Sequence, residues 1–133
     1  MEDIFVGRLM SSPITMVPPE TTVREAARLM RDNEIGSVIV VDESEALAGI
    51  LTSTDFVAAV ADERSMAETP VSEFMTEDVV TTTANEPIRN IADLMVEHGF
   101  HHVPVVEDDQ VIGIVCSSDL TAYLSHVEQP SPS

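Results

Sequence analysis

The chain repeats itself, and that repetition constrains its fold more than any other feature. Sliding the sequence along itself by 65 residues lays Met10 on Met75, Arg24 on Arg89, Ala27 on Ala92 and Leu29-Met30 on Leu94-Met95. The same shift brings Val38 onto Val103 and Val40-Val41 onto Val105-Val106. After a one-residue slip in the intervening turn, Gly49-Ile50 meets Gly113-Ile114, Ser53 meets Ser117 and Asp55 meets Asp119. A tandem duplication means one supersecondary unit built twice, each copy short of core on its own.

Each copy reads as strand, helix, strand, strand, helix, an α+β pattern with roll-like units. In the first, Thr15-Met16-Val17 is short and extended and closes on Pro18-Pro19. Thr21 or Thr22 caps the next helix, with Glu25 placed for a capping box. Val23, Ala26, Ala27 and Met30 then form an apolar stripe at helical spacing. The β-branched run Ser37–Val41 reads as a strand buried on both faces, since neither face alternates with polar residues. An acidic turn leads into a second strand, Leu47–Leu51, and Thr52 or Ser53 opens a helix running to about Ala61. In the second copy, 79–81 is extended, Asn85 caps, and Ile88, Ile91, Ala92 and Met95 make the matching stripe. His102–Val106 and Val111–Val115 pair as strands, and Ser118 to Val127 closes the copy as a helix. The spacing predicts repeats at 6–62 and 70–127, a polar linker at 62–69 and a disordered tail at 128–133. The two copies are expected to pack their strand faces together with pseudo-two-fold symmetry.

Composition narrows the chemistry. Of 133 residues, 44% are apolar, so the high charge does not signal disorder. Lysine and arginine number 6 against 24 carboxylates, giving −18, and all the cations are arginines. Such a surface repels phosphate backbones and anionic lipid, which argues against nucleic-acid and membrane partners. It suits a folded protein in a salt-rich cytoplasm, as in a salt-in halophilic archaeon, where the Debye length shrinks to about 3 Å at 1 M salt. The single cysteine, Cys116, excludes an internal disulfide, and no apolar run reaches a membrane span. A cytoplasmic location follows as the expectation.

The stretch Thr52-Ser-Thr-Asp55 runs off a strand into a helix. Backbone N–H groups there lack intrahelical partners and the dipole is positive, so a phosphate can dock. Thr52 adds a hydroxyl donor, and the two oxygens of Asp55 suit the paired hydroxyls of a ribose. The competing reading is plain: an Asp at a helix start is commonly just a cap. In the second copy Cys116 stands where Thr52 does, exchanging a good donor for a weak thiol. As a nucleophile it would need a base and an electropositive setting, so it reads as a small buried apolar residue. His101 and His102 are adjacent, and on a strand they point to opposite faces, which excludes joint chelation of zinc. His98 and His126 read as exposed residues near helix C-termini. The methionines at 10, 30, 75 and 95 read as core or interface filling. No general acid–base pair, metal cluster or activated nucleophile emerges, so catalysis is not expected.

The motifs Met10-Ser-Ser-Pro-Ile-Thr15 and Met75-Thr-Glu-Asp-Val-Val-Thr81, with Ile35–Asp42 and Phe100–Glu107, resemble the cystathionine-β-synthase (CBS) domain in its usual tandem form, the Bateman module. The heptads Gly49-Ile-Leu-Thr-Ser-Thr-Asp55 and Gly113-Ile-Val-Cys-Ser-Ser-Asp119 carry the resemblance furthest. It implies a regulatory module that senses an adenine-containing ligand: AMP, ADP, ATP or S-adenosylmethionine. The motif Asp would hold ribose, and the base would lie between apolar strand residues. The implied main cleft combines Ile50, Thr52, Thr54 and Asp55 with Thr81, His101, His102 and Val103. The weaker cleft combines Thr15, Ser37 and Val38 with Ile114, Cys116, Ser118 and Asp119. Val38 with Ile50, or Val103 with Ile114, would flank the base, and His102 or Arg89 would meet phosphate. At −18 each added phosphate is repelled, so a monophosphate or a cationic sulfonium outranks a naked triphosphate, and a polyphosphate calls for Mg²⁺. The resemblance also implies a homodimer, built on the stripes Val23–Met30 and Ile88–Met95, and a regulated partner protein of unknown identity. The alternative to sensing is a ligand-free interaction scaffold.

Overall fold

The computed structural model describes residues 4–12 and 14–127. The predicted tail at 128–133 lies outside them. The first repeat contributes a one-turn helix α1 (Val6–Leu9), strand β1 (Met16–Val17), helix α2 (Val23–Asn33), strands β2 (Ser37–Val41) and β3 (Leu47–Thr52), and helix α3 (Ser53–Ala61). The second contributes a 3-10 turn at Val71–Glu73, helix α4 (Ile88–His98), strands β4 (His102–Glu107) and β5 (Gln110–Cys116), and helix α5 (Ser117–Val127).

Two compact units result, and their boundaries are not those of the repeats. One gathers 14–79 with 109–111; the other gathers 4–12, 80–108 and 112–127. In the first unit β1 runs parallel to β2, and β2 pairs antiparallel with β3. All five residues of β2 are buried, as its unbroken β-branched run requires. Val17, Val23, Ala26, Val38, Val40, Leu51 and Val71 form the core. In the second unit β4 pairs with β5, and Val6, Ile91, Met95, Val103, Val105 and Val115 form the equivalent core.

Helix ends follow local chemistry in one repeat and depart from it in the other. Thr22 is the N-cap of α2, its hydroxyl accepting from the Glu25 N–H at 3.1 Å. Its counterpart is not Asn85 but Pro87, which offers no side-chain cap. The 65-residue shift carries Thr22 onto 87, and a proline there needs no partner for an absent N–H. Both helices stop on a left-handed residue, Gly99 at φ 75° and its counterpart Glu34 at φ 53°. The extended segment foreseen at 79–81 is not a strand. Only Thr82 joins the sheet, bridging in parallel to Val105 and bonding Pro104 and Val106.

The lead-in of each repeat is bonded to the body of the other. The Val6 N–H donates to Glu86 O at 2.9 Å and the Ile88 N–H to Ile4 O at 2.8 Å. Symmetrically, Val71 donates to Thr21 O at 2.7 Å and Val23 to Thr69 O at 2.8 Å. Val6 and Val71 are both fully buried as a result. Further along, Ser11 and Ile114 exchange backbone bonds of 2.8 and 3.2 Å, and Thr76 and Ile50 exchange bonds of 2.9 and 3.0 Å. These pairs run directly beside Gly113 and Gly49. A Cβ on Gly49 would stand 2.8 Å from both Met75 Sδ and Thr76 O; one on Gly113 would stand 2.7 Å from Met10 Sδ and 3.0 Å from Ser11 O. The glycine that opens each heptad is therefore required by close approach of backbone.

Candidate ligand site

The strand-to-helix junction after β3 is set by its sequence. Thr52 is extended at φ −123°, which ends the strand, and Asp55 occupies the third position of α3. Asp55 Oδ2 accepts from the Thr52 N–H at 2.8 Å, and the Thr52 hydroxyl lies 3.4 Å from the same oxygen. The junction after β5 repeats the arrangement, with Asp119 Oδ2 accepting from the Cys116 N–H at 2.7 Å. The capping role weighed against ribose binding is thus real, and it uses one oxygen of each carboxylate. No described protein group donates to Oδ1 of Asp55. The remaining first-turn N–H groups of α3 lack intrahelical acceptors, as at any helix start.

Register decides which strand residues share a face with these carboxylates. Ser37 lies opposite Thr52, Val38 opposite Leu51, and Ile39 opposite Ile50. Side chains alternate along a strand, so Ser37, Ile39, Ile50 and Thr52 line one face while Val38, Val40 and Leu51 line the other. The second face is the core. Val38 and Val103 are fully buried within the cores of their units. Pairing Val38 with Ile50 had placed together two residues of opposite parity. The apolar residues on the Thr52 face are Ile39 and Ile50, at 1% and 6% exposure. Their counterparts by the repeat shift are Pro104 and Ile114, and neither Ile39 nor Pro104 was singled out from sequence.

Among the residues of the implied main cleft, Ile50, Thr52, Thr54 and Asp55 belong to one unit and Thr81, His101, His102 and Val103 to the other. Thr54 and Thr81 are exposed. His101 is exposed too, and its carbonyl accepts from the Ser117 N–H at 2.9 Å. His102 is partly buried, and its Nδ1 lies 3.2 Å from Cys116 Sγ. The structure therefore joins His102 to Cys116 of the other implied cleft, with Asp119 close enough to act on it electrostatically. Of that second group, Ser37 is buried opposite Thr52, Thr15 accepts from the Ile39 N–H at 3.2 Å, Ile114 bonds Ser11, and Ser118 is exposed at the start of α5.

Burial sets the electrostatics. It raises Asp55 above the ordinary carboxylate value, against the pull of the two Thr52 bonds. It lowers His102, helped by neighbouring His101 and opposed by Asp119. Burial thus favours the neutral form of His102. Cys116 is pushed up to about 11 by burial and then by Asp119. A thiol so weakly acidic is no nucleophile at neutral pH. His102 and Cys116 form a neutral contact.

The comparisons agree with this fold. The model of the CBS domain family matches residues 6–62 and 71–126. The CBS domain-containing protein YhcV of Bacillus subtilis is 32% identical over 111 residues, covering 84% of this chain and 79% of its own. L-aspartate semialdehyde sulfurtransferase of Methanocaldococcus jannaschii is 36% identical over 124 residues; the match covers 84% of this chain but only 24% of that protein. Among solved structures, the CBS domain pair of protein MJ0100, in complex with 5′-methylthioadenosine and S-adenosyl-L-methionine, superposes with a TM-score of 0.88 at 30% identity, covering 95% of this chain and 99% of that one. The CBS-domain containing protein ATU1752 from Agrobacterium tumefaciens gives 0.82 at 31% identity, covering 89% and 91%. Two copies of the same α+β unit, each with its glycine, its strand-end junction and its capping aspartate, place this chain in the CBS domain family as a tandem pair.

Proposed function

We propose that the chain is a regulatory module that binds an adenine-containing small molecule and performs no chemistry of its own. The observation that carries this reading is the junction at Thr52–Asp55: a carboxylate with one oxygen committed to the cap and Oδ1 without a described protein donor, beside a helix start and the apolar pair Ile39 and Ile50. A ribose hydroxyl supplies the missing donor, and a base supplies an apolar face. The ligands of the MJ0100 pair, both adenosine derivatives, support the class. The charge of −18 and a neutral His102 favour a cationic sulfonium or an uncharged thioether over polyphosphate, which would need Mg²⁺.

Calorimetric titration at high salt with S-adenosylmethionine, methylthioadenosine, AMP, ADP and ATP, the last two with and without Mg²⁺, tests the proposal. Asp55→Asn keeps an acceptor for the Thr52 N–H while removing the charge, and it should weaken binding at that junction. Asp119→Asn reports separately on the other junction. No heat with any of the five leaves the scaffold reading. For that reading, Val23 and Ala26 of one stripe and Ile91 and Met95 of the other are core, which leaves exposed Ala27 and part-buried Met30, Ile88 and Ala92 to a second copy. Large apolar side chains exposed to such a contact include Val57 and Val60 on α3, at 68% and 66%, and Val96 on α4, at 85%.

A further inference from the structure

Outside the nucleotide-type junctions, α2 carries a second feature that the fold does not explain. Arg24, Arg28 and Arg31 are half of the chain's six cations, and all three are exposed. At ~100° per residue they fall within an arc of ~60° on one face of the helix. Val23 and Ala27 adjoin that arc on one side, while Glu25 and Asp32 lie on the other. With Met66 the five residues line a groove of about 470 Å³. Met66 is held there by the Arg24 N–H, which donates to its carbonyl at 2.9 Å.

Two comparisons within the chain argue that the row serves something other than stability. In a protein with 24 carboxylates, Arg24 and Arg28 lie within ion-pair distance of none among the described residues, and Arg31 bonds only exposed Asp32. The duplicated helix α4 folds without the row: Arg28 and Arg31 are replaced there by Asp93 and Val96. Stems of arginine can cover apolar surface, yet Val96 stands 85% exposed at the matching place.

We propose that this groove docks an acidic amphipathic segment of a partner protein, with apolar side chains on Ala27 and Met66 and carboxylates on the three arginines. Charge complementarity selects this occupant. A second copy seated here across a two-fold axis would bury both copies' arginine rows in one interface. An acidic helix presenting carboxylates at i, i+4 and i+7 matches the row in spacing and sign. The surface lies within one unit and is independent of the ligand reading, so either proposal can fail alone.

The probe is a rhodamine-labelled helical peptide with Glu at i, i+4 and i+7 beside a Leu stripe, followed by anisotropy and by amide NMR shifts of the full chain. Saturable binding is expected, with shifts concentrated at residues 23–31 and 66. Surface ion pairs contribute about two- to fivefold each, so the triple variant Arg24→Ala/Arg28→Ala/Arg31→Ala should bind about 10- to 100-fold more weakly, with unchanged circular dichroism. Met66→Ser should weaken binding as well. Equal affinity for the triple variant, equal affinity of a scrambled peptide, or no saturable binding would overturn the proposal. Full competition by millimolar succinate would assign the row to a free dicarboxylate instead. Sedimentation showing that the triple variant alone loses a dimer would assign it to a second copy.

Discussion

Replacing Gly49 by alanine tests the packing of the heptad most directly. The new Cβ meets Met75 Sδ and Thr76 O, each at 2.8 Å. The methionine can swing away, but the carbonyl cannot, since Thr76 and Ile50 are tied by bonds of 2.9 and 3.0 Å. Losing that pair costs about 1 kcal/mol per bond, and residual overpacking adds about 1–2 kcal/mol. The sum, about 3–4 kcal/mol, is a large part of the 5–15 kcal/mol typical of a domain. Urea unfolding at constant high salt, with a slope of about 2 kcal/mol/M, should show the midpoint falling by about 1.5–2 M. Gly113→Ala should cost less, because its backbone neighbour Ser11 O stands at 3.0 Å. The double variant Gly49→Ala/Met75→Ala should not recover the wild-type midpoint, because the carbonyl clash survives it. A Gly49→Ala midpoint within about 0.3 M of wild type, or full recovery in the double variant, would refute the reasoning.

Other expectations follow from single features. Glu34→Gly should stabilise the fold by about 1 kcal/mol, since a left-handed C-cap at φ 53° costs a side chain that much, and Gly99→Ala should destabilise it by a similar amount; thermal melts of both read this directly. Cys116 should resist iodoacetamide in the native protein at pH 8, the rate rising about tenfold per pH unit until near 11, and rapid alkylation at pH 8 would contradict its burial. His102 titrates lower folded than its ordinary 6.5. The unfolded chain then binds more protons below pH 6.5, so stability falls as pH drops through that value, and His102→Gln should flatten this part of the stability–pH curve. Stability should rise steeply with KCl as the −18 charge is screened; a flat response would remove the argument for a salt-rich setting.

Much of this molecule was legible in its letters because local chemistry and repetition agree. The β-branched run at Ser37–Val41 became a fully buried strand, and Thr22 became a cap, as their side chains require. Misreadings arose where a position's meaning depends on its partner strand. Val38 and Ile50 look equally apolar, and only the register Val38↔Leu51 shows that they face opposite ways. Asn85 is a better cap by type than Pro87, but the helix begins where the repeat shift puts it. The segments at Val6–Leu9 and Val71–Glu73 were missed because each is too short for periodicity. Gly49 and Gly113 signal only the residues just after those segments, 75–76 and 10–11, which stand where a Cβ would. The setting of His102, part-buried beside Cys116, which favours its neutral form, was not legible from its type.

The exchanged lead-ins bear on how such a chain can be divided or could have arisen. A fragment cut at the repeat boundaries, such as 6–62, would keep a lead-in that fits elsewhere and lose the one that caps its own core, whereas 14–79 retains its cover. A single repeat alone would face the same problem, and could satisfy those backbone groups by trading its first residues with a sister molecule; in the duplicated chain the exchange is intramolecular.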